Sequence, residues 1–496
     1  MLEAYGQALA FLFQPMTLVL MTVAVIIGLV IGIIPGIGGM LGVALMLPLL
    51  FGMPKETALT FLVAFHAVTF TGGSITAILV NIPGTGPNAA TTLDGFPMNQ
   101  RGEGARAIGA ALNASMLGGI VPCFLALAMV PLILPVVMAF KTAEMAALVL
   151  VAIASMGALT GRSAMRGLIS GVLGVLMATI GFQGVTGVYR FTFGSSYLYD
   201  GLGIVVVALG LFGLTELLEM AIKGQASIAT GEVKSRLSDV FVGCMDVFRH
   251  WWLWLRATII GYIIGILPGV GAETAIWVAY GHAKQTSKHP ETFGTGNIEG
   301  VIAPESANNS KEAGDLLTTM AFGIPGGPVM ALYLGAFLMV GVIPGPRMLI
   351  DHLPLALTLL LGIALANLIG GVICIFSAPY LAKVASVRLD LLFPLVISLI
   401  LVGGFADRSS MTNLIVIIFL GVLGLFMKRY HFSRPSLLVG LVLGRLLEDY
   451  ILRGIQLSGP LFFVTPISLA LLAVLALTLA YPFLQKTFAS KGKRAL

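Results

Sequence analysis

The feature that most constrains this chain is an interruption that keeps recurring. Apolar runs of about 20 residues, long enough to span a hydrocarbon core, are broken in their interiors by Pro-Gly sequences. The runs cover roughly residues 11–34, 57–80, 107–139, 143–160, 164–181 and 201–222 in the first half. In the second they cover roughly 251–267, 272–281, 316–343, 353–382, 390–405, 411–427, 434–447 and 461–484. Counted conservatively, they amount to about 12 crossings. Only 10% of the 496 residues are charged, against about 25% in soluble domains. So few charges cannot clothe a water-facing surface, which excludes a cytosolic enzyme, a nucleic-acid binder and a disordered chain. The expected fold is an all-α polytopic membrane protein with broken or re-entrant helices at the Pro-Gly loops.

The remaining composition fits that class. The formal net charge of +6 reads as Lys and Arg retained in cytoplasmic loops, and the tail Lys491-Gly492-Lys493-Arg494 puts the C-terminus in the cytoplasm. Trp251, Trp252 and Trp254 beside Arg256 read as an interfacial anchor. Cys123, Cys244 and Cys374 are too scattered for a disulfide framework or a metal site. Glu3 and the lack of a basic leader argue against a cleaved signal peptide.

The chain also repeats itself. Gly28, Gly32, Pro35, Gly36 and Gly38 recur 233 residues later as Gly261, Gly265, Pro268, Gly269 and Gly271. Ile82-Pro83-Gly84 recurs as Ile324-Pro325-Gly326, an offset of 242. Gly118-Gly119 recurs as Gly370-Gly371 at 252, and the stretch from Gly171 to Met177 as Gly421 to Met427 at 250. Landmarks kept in order at slowly drifting offsets indicate duplication, the usual construction of secondary transporters. We divide the chain into a first membrane repeat (1–222), a polar interfacial linker (223–250), a second membrane repeat (251–455), and a C-terminal transmembrane helix with a basic tail (456–496). Inverted repeats are preferred to parallel ones. A long polar stretch, 283–315, is read as separating two apolar segments.

Pro-Gly breaks at membrane depth point to a site. Lipid offers no hydrogen bonds, so irregular backbone survives only against protein or a water-filled cavity. Each break ends one helix and starts another, and new helix N-termini favour anions. The substrate-binding candidates are therefore Gly36, Gly38 and Gly39 at the first break; Gly84, Gly86 and Asn88 at the second; Gly269, Gly271 and Thr274 at the third; and Ser306, Asn308, Asn309, Gly326 and Gly327 around the fourth. Asn81, Thr85 and Glu273 are candidates for a coupling ion. Backbone N–H groups, with no buried Lys or Arg, are expected to hold the anion. His66 reads as a packing histidine in preference to a proton relay. Arg445 with Glu448 and Asp449 reads as interfacial charge. No cofactor is expected beyond a coupling Na⁺ or H⁺.

These motifs resemble the large membrane subunit of the tripartite tricarboxylate transporter family. The resemblance rests on Gly32-x2-Pro35-Gly36-x-Gly38-Gly39, on Leu93-Asp94-Gly95-x-Pro97 with Gly102 and Arg106, and on Gly300 to Asn309 followed by Gly323-Ile324-Pro325-Gly326. It implies a bacterial inner-membrane protein that imports tricarboxylates or related carboxylates on an ion gradient. It also implies two partners: a small membrane subunit and a periplasmic substrate-binding protein. GxxxxGK[ST] is absent, so ATP hydrolysis by this chain is not expected. The arrangements needed by intramembrane proteases, H-E-x-x-H, G-x-S-G and G-x-G-D, are absent too, and we expect no enzyme. The alternative is a stand-alone anion transporter or channel without partner subunits.

Overall fold

The structure, a computed structural model, describes residues 1–34, 38–159, 163–223, 236–384 and 389–492. The first half runs through α1 (Leu2–Leu12), α2 (Pro15–Ile33), α3 (Gly38–Met46), α4 (Lys55–Ala67), α5 (Thr69–Val80), α6 (Thr91–Gln100), α7 (Gly104–Ala139), α8 (Thr142–Leu159) and α9 (Ala164–Ala178). A small antiparallel hairpin follows, β1 (Gly181–Gln183) and β2 (Val188–Arg190), then α10 (Ile204–Ala208), a π-helical turn at Leu209–Leu214 and α11 (Thr215–Lys223). The second half runs through α12 (Leu237–Arg249), α13 (Trp251–Ile266), α14 (Gly271–Thr286), α15 (Glu299–Phe322), α16 (Pro328–Met339), α17 (Met348–Asp351), α18 (Leu353–Val384), α19 (Leu389–Ala406), α20 (Thr412–Arg429), α21 (Arg434–Ser458) and α22 (Pro466–Gly492).

Among the described residues, six helices are long and apolar enough to cross a membrane: Pro15–Ile33, Lys55–Val80, Gly104–Ala139, Ile204–Ile222, Leu353–Leu381 and Thr412–Arg429. Shorter apolar helices accompany them. Outward side chains of α2 (Met16, Val19, Val23, Ile26) and α20 (Ile415, Ile418, Phe419, Phe426) are exposed and apolar. Such a surface belongs against lipid. The multi-pass, all-helical character read from the apolar runs is borne out.

One expectation changes. Residues 283–315 are not simply a polar separator: from Glu299 onward they form most of α15, and every residue from Gly300 to Ala321 is buried. α15 packs between α7, α13 and α14. Its polarity is tolerated because protein surrounds it and supplies hydrogen-bond partners.

Small residues set how closely the helices approach, as is usual in membranes. A Cβ on Gly28 of α2 would strike the carbonyl of Phe65 on α4; one on Gly261 of α13 would strike that of Ala307 on α15. Gly32 faces the carbonyl of Thr69 as Gly265 faces that of Lys311. A Cβ on Gly72 would lie 2.5 Å from Leu29 O, and one on Gly314 2.6 Å from Tyr262 O. The paired positions are the ones offset by 233 and 242 residues in sequence. Both long helices end on a left-handed residue at corresponding positions, Asn81 (φ 58) and Gly323 (φ 67).

The corresponding helices run antiparallel where they meet. Ser74, Thr71 and His66 descend α5 and α4 as Glu305, Asn309 and Glu312 ascend α15. α7 and α18 cross the same way, Gly119 lying against Asn367 and Gly371 against Met116. Farther out, Gly174 of α9 meets the Leu437 carbonyl of α21, and Gly424 of α20 meets the Leu211 carbonyl of the π-turn.

Arg445, Glu448 and Asp449, read as interfacial charges, fasten the hairpin and its following loop to α21: Arg190 pairs with Glu448, Gln183 donates to Asp449 at 2.9 Å, and Arg445 donates to Asp200 O at 2.6 Å.

Overpacking a helix crossing costs about 1–3 kcal/mol. Gly28→Val and Gly261→Val should therefore lower the thermal midpoint and the monodisperse yield in detergent to a similar extent. Gly281→Ala, where nothing lies within 4 Å of a new methyl, should change neither.

Candidate functional site: a cavity where four breaks meet

The interrupted helices bring their ends together. A cavity of about 850 Å³ is lined by Gly38 and Gly39 of the first break, Thr85, Gly86 and Pro87 of the second, Val270 and Gly271 of the third, and Pro328 of the fourth. Phe70, Glu273, Thr274, Trp277 and Lys311 complete its inner wall; Phe212, Glu216 and Arg434 form another. The volume falls within the usual range of small-ligand pockets, about 300–1,000 Å³. The breaks also touch one another: Gly269 N–H donates to Gly326 O at 2.8 Å. A Cβ on Gly86 would lie 2.7 Å from Glu273 Oε1.

The glycines divide into two kinds. Gly38 (φ 67) has nothing within 4 Å of a would-be Cβ, and Gly271 (φ 75) has only Pro328 there. These sit in the left-handed region that glycine favours, and they face the cavity. Gly84 and Gly326 are instead wedged against protein. A Cβ on Gly84 would meet Gly32 O and Gly73 Cα, and one on Gly326 would meet Gly265 O and Asp315 Cα, each of the latter near 2.9 Å or less. Gly327 faces Asp315 Oδ2, and Gly269 (φ 83) faces Ser155 and Met156. Pro35, Gly36 and Ile37 lie outside the described residues.

The polar candidates separate similarly. Thr274 lines the cavity and donates to Val270 O at 3.1 Å. Thr85 lines it too, donating to Asn88 Oδ1. Glu273 is exposed to the cavity. Asn81 is exposed, caps α5, and is not among the lining residues. Asn88 lies deeper, with its amide nitrogen on Phe70 O at 3.0 Å and Glu305 Oε1 at 3.3 Å. Ser306 donates to Ile302 O of its own helix. Asn309 donates to Thr71 Oγ1 at 2.9 Å and Asn367 Oδ1 at 2.8 Å. Asn308 is fully buried, and neither its Oδ1 nor its Nδ2 has a partner among the described residues.

Sequence reasoning missed the charged cluster at the inner wall. Lys311 is buried with Nζ 2.7 Å from Glu312 Oε1 and 2.7 Å from Asp315 Oδ2, and 5.2 Å from the Phe70 ring centroid. His66 Nδ1 lies 3.0 Å from Glu312 Oε2. A cavity without basic side chains was expected; Lys311 and Arg434 both line it, Arg434 pairing with Glu216 at 2.9 Å. Two carboxylates offset the Lys311 charge, which is what allows an ammonium at this depth. The available signal was spacing. Lys311 and Asp315 are four apart, on one helical face, and the 242-residue offset aligns them with the apolar helix at Thr69 and Gly73.

Two other buried carboxylates serve the scaffold. Glu305 accepts from Ser74 at 2.6 Å, Ser115 at 2.9 Å, Asn88 and Thr91, tying α5, α6 and α7 to α15. Asp94 accepts the backbone N–H groups of Gly294, Gly296 and Asn297 at 2.8–2.9 Å, and the Tyr280 hydroxyl at 2.8 Å. It thereby shapes the loop that enters α15.

A model of the tripartite tricarboxylate transporter TctA family matches residues 18–439. The chain is 33% identical over 466 residues to an uncharacterized 52.8 kDa protein of the TAR-I ttuC' 3' region of Agrobacterium vitis, covering 93% of this chain and 92% of that protein. An uncharacterized protein of the TAR-II ttuC' 3' region of the same organism is 33% identical over 220 residues, covering 43% of this chain and 90% of its own length. No solved structure matches.

Removing the Glu305 carboxylate takes an acceptor from four buried donors and leaves Thr91 with none in its place, whereas Ser74 and Asn88 keep Phe70 O. Glu305→Ala should cost roughly 3 kcal/mol or more and lower the thermal midpoint in detergent. A midpoint equal to that of the wild type would show that these bonds contribute no net stability.

Proposed function

The chain belongs to the tripartite tricarboxylate transporter TctA family, and from that premise we propose that it is the translocation subunit of a secondary importer of tricarboxylates or related carboxylates. The observation that carries the reading is the meeting of four helix breaks at one cavity with a buried ammonium in its wall. Broken helices of two sequence-related halves are where secondary transporters bind substrate. Here the N-terminal ends of α3, α14 and α16 all border the cavity, and helix N-termini favour carboxylates. Lys311 adds an ammonium donor to helix ends that carry about half a charge each, its own charge being offset by Glu312 and Asp315. Thr274 and the open backbone at Gly38 and Gly271 set the anion's orientation. Thr85 and Glu273, on the same wall, suit a coupling cation.

We read the two halves as inverted repeats, supported by the recurring glycine contacts and the antiparallel crossing of α5 with α15. The shorter apolar helices complete about 12 crossings. Transport draws on an ion gradient. The partners are a small membrane subunit and a periplasmic binding protein that delivers the anion, and the setting is the bacterial inner membrane with the C-terminus in the cytoplasm.

Uptake of labelled carboxylates by cells expressing the chain should require the co-expressed binding protein; unaltered uptake without it would favour a stand-alone carrier. In proteoliposomes, accumulation should cease when every ion gradient is collapsed. Lys311→Ala should raise the half-saturating concentration about 10- to 100-fold, the loss of a hydrogen bond to a charged group. Thr274→Ala should have a smaller effect.

A further inference from the structure

Lys311 is held by two carboxylates that compete with any arriving anion. With Glu312 and Asp315 both ionised and a neutral imidazole at His66, the group formed by Lys311, Glu312, Asp315 and His66 bears one positive and two negative charges. An anion entering the cavity therefore meets a net negative wall. His66 Nδ1 donates toward Glu312 Oε2 at 3.0 Å, and its Nε2 is buried with no partner among the described residues. That free nitrogen can take one proton. An imidazolium would neutralise the group and give Glu312 a full positive partner, loosening its hold on the Lys311 ammonium.

We propose that His66 is the proton site that couples anion binding to the proton gradient, acting through Glu312 on Lys311. This rests on the reading of the cavity as a carboxylate site. One proton is bound at Nε2 as the anion pairs with Lys311; both leave on the far side, and Glu312 recaptures the ammonium. His66 is a positioning residue that does not touch the substrate. Histidine suits the task because a neutral imidazole can accept a proton at one ring nitrogen while the other keeps its hydrogen bond, and coupling of this kind is reciprocal between the two ligands.

The groups around the device are few, and the nearest further carboxylate is Glu273 of α14, which shares the cavity wall with Lys311 and lies within its electrostatic reach. Helix α15 brings Lys311, Glu312 and Asp315 to the device. α16 brings the Tyr333 ring, 5.6 Å from His66; α7 contributes Cys123, within electrostatic reach of Glu312, and Tyr262 of α13 lies beyond it, near Cys123. α2 carries no titratable side chain, and the buried one on α18 is Cys374. The corresponding positions in the first half, 242 residues earlier, are Thr69 for Lys311, Phe70 for Glu312 and Gly73 for Asp315, and Asn308 answers His66. None of these titrates, so the described residues hold one such site, and one proton is coupled through it.

The test uses the complete reconstituted system with citrate and other labelled di- and tricarboxylates, taking forward the one that the wild type accumulates best. Its half-saturating concentration should rise about tenfold between roughly pH 6 and pH 8, and an imposed pH gradient should drive accumulation. His66→Asn should flatten that dependence at the wild type's high-pH value. Glu312→Gln, which removes the competing charge, should flatten it at the low-pH value. Both should lose pH-driven accumulation while exchange at saturating substrate persists. A structural role for either residue would weaken binding in both variants alike. Wild-type pH dependence in His66→Asn, or accumulation driven by a Na⁺ gradient and indifferent to pH, would overturn the proposal while leaving carboxylate transport standing. Failure of the wild type to accumulate any carboxylate would withdraw both.

Discussion

A hydrocarbon interior offers no hydrogen bonds, and the whole architecture answers that constraint at α15. This helix carries Glu305, Asn308, Asn309, Lys311, Glu312 and Asp315 through the centre of the bundle, all buried. Each charge must be met by protein. Glu305 is met by neutral hydroxyls and an amide, and Lys311 by two carboxylates of its own helix. The partners of Glu305, together with His66 which meets Glu312, lie on α4 to α7 and the turn between α5 and α6, so satisfying α15 fixes where the first half sits against the second. The close approach then requires glycine at Gly118, Gly261 and Gly265, where a methyl would collide with α15 backbone.

The same economy explains the breaks. A Pro-Gly sequence at membrane depth can be a packing device or an opening, and the backbone environment distinguishes them. Gly84 and Gly326 let one chain segment rest on another. Gly38 and Gly271 face the cavity, and Gly86 lines it against the Glu273 side chain. The wedged pair holds the open ones in position, so the two kinds belong to one construction.

Much of this was legible in sequence. Apolar runs gave the helical membrane class, and the paired Pro-Gly segments located the loops that line the cavity. What escaped was α15. Its hydropathy resembles that of a surface loop, because hydropathy assumes that polar residues face water or the membrane boundary. Here they face one another across about 240 residues of sequence, as in Glu305 with Ser74 or Glu312 with His66, and no local pattern encodes such a pairing. The internal repeat did encode the helix: aligning Lys311 with Thr69 places it inside an apolar span. Asn309, chosen as a ligand for its chemistry, instead joins α15 to α5 and α18. Side-chain type alone cannot tell a binding amide from a structural one.

The single-sided placement of the charged cluster has a consequence for resting states. On the inverted-repeat reading proposed above, identical halves would give a carrier whose two access states are mirror images of equal free energy. Lys311, Glu312 and Asp315 have no counterparts at Thr69, Phe70 and Gly73, so on that reading the degeneracy is lifted, and the direction in which an unloaded carrier would idle is written into one turn of one helix.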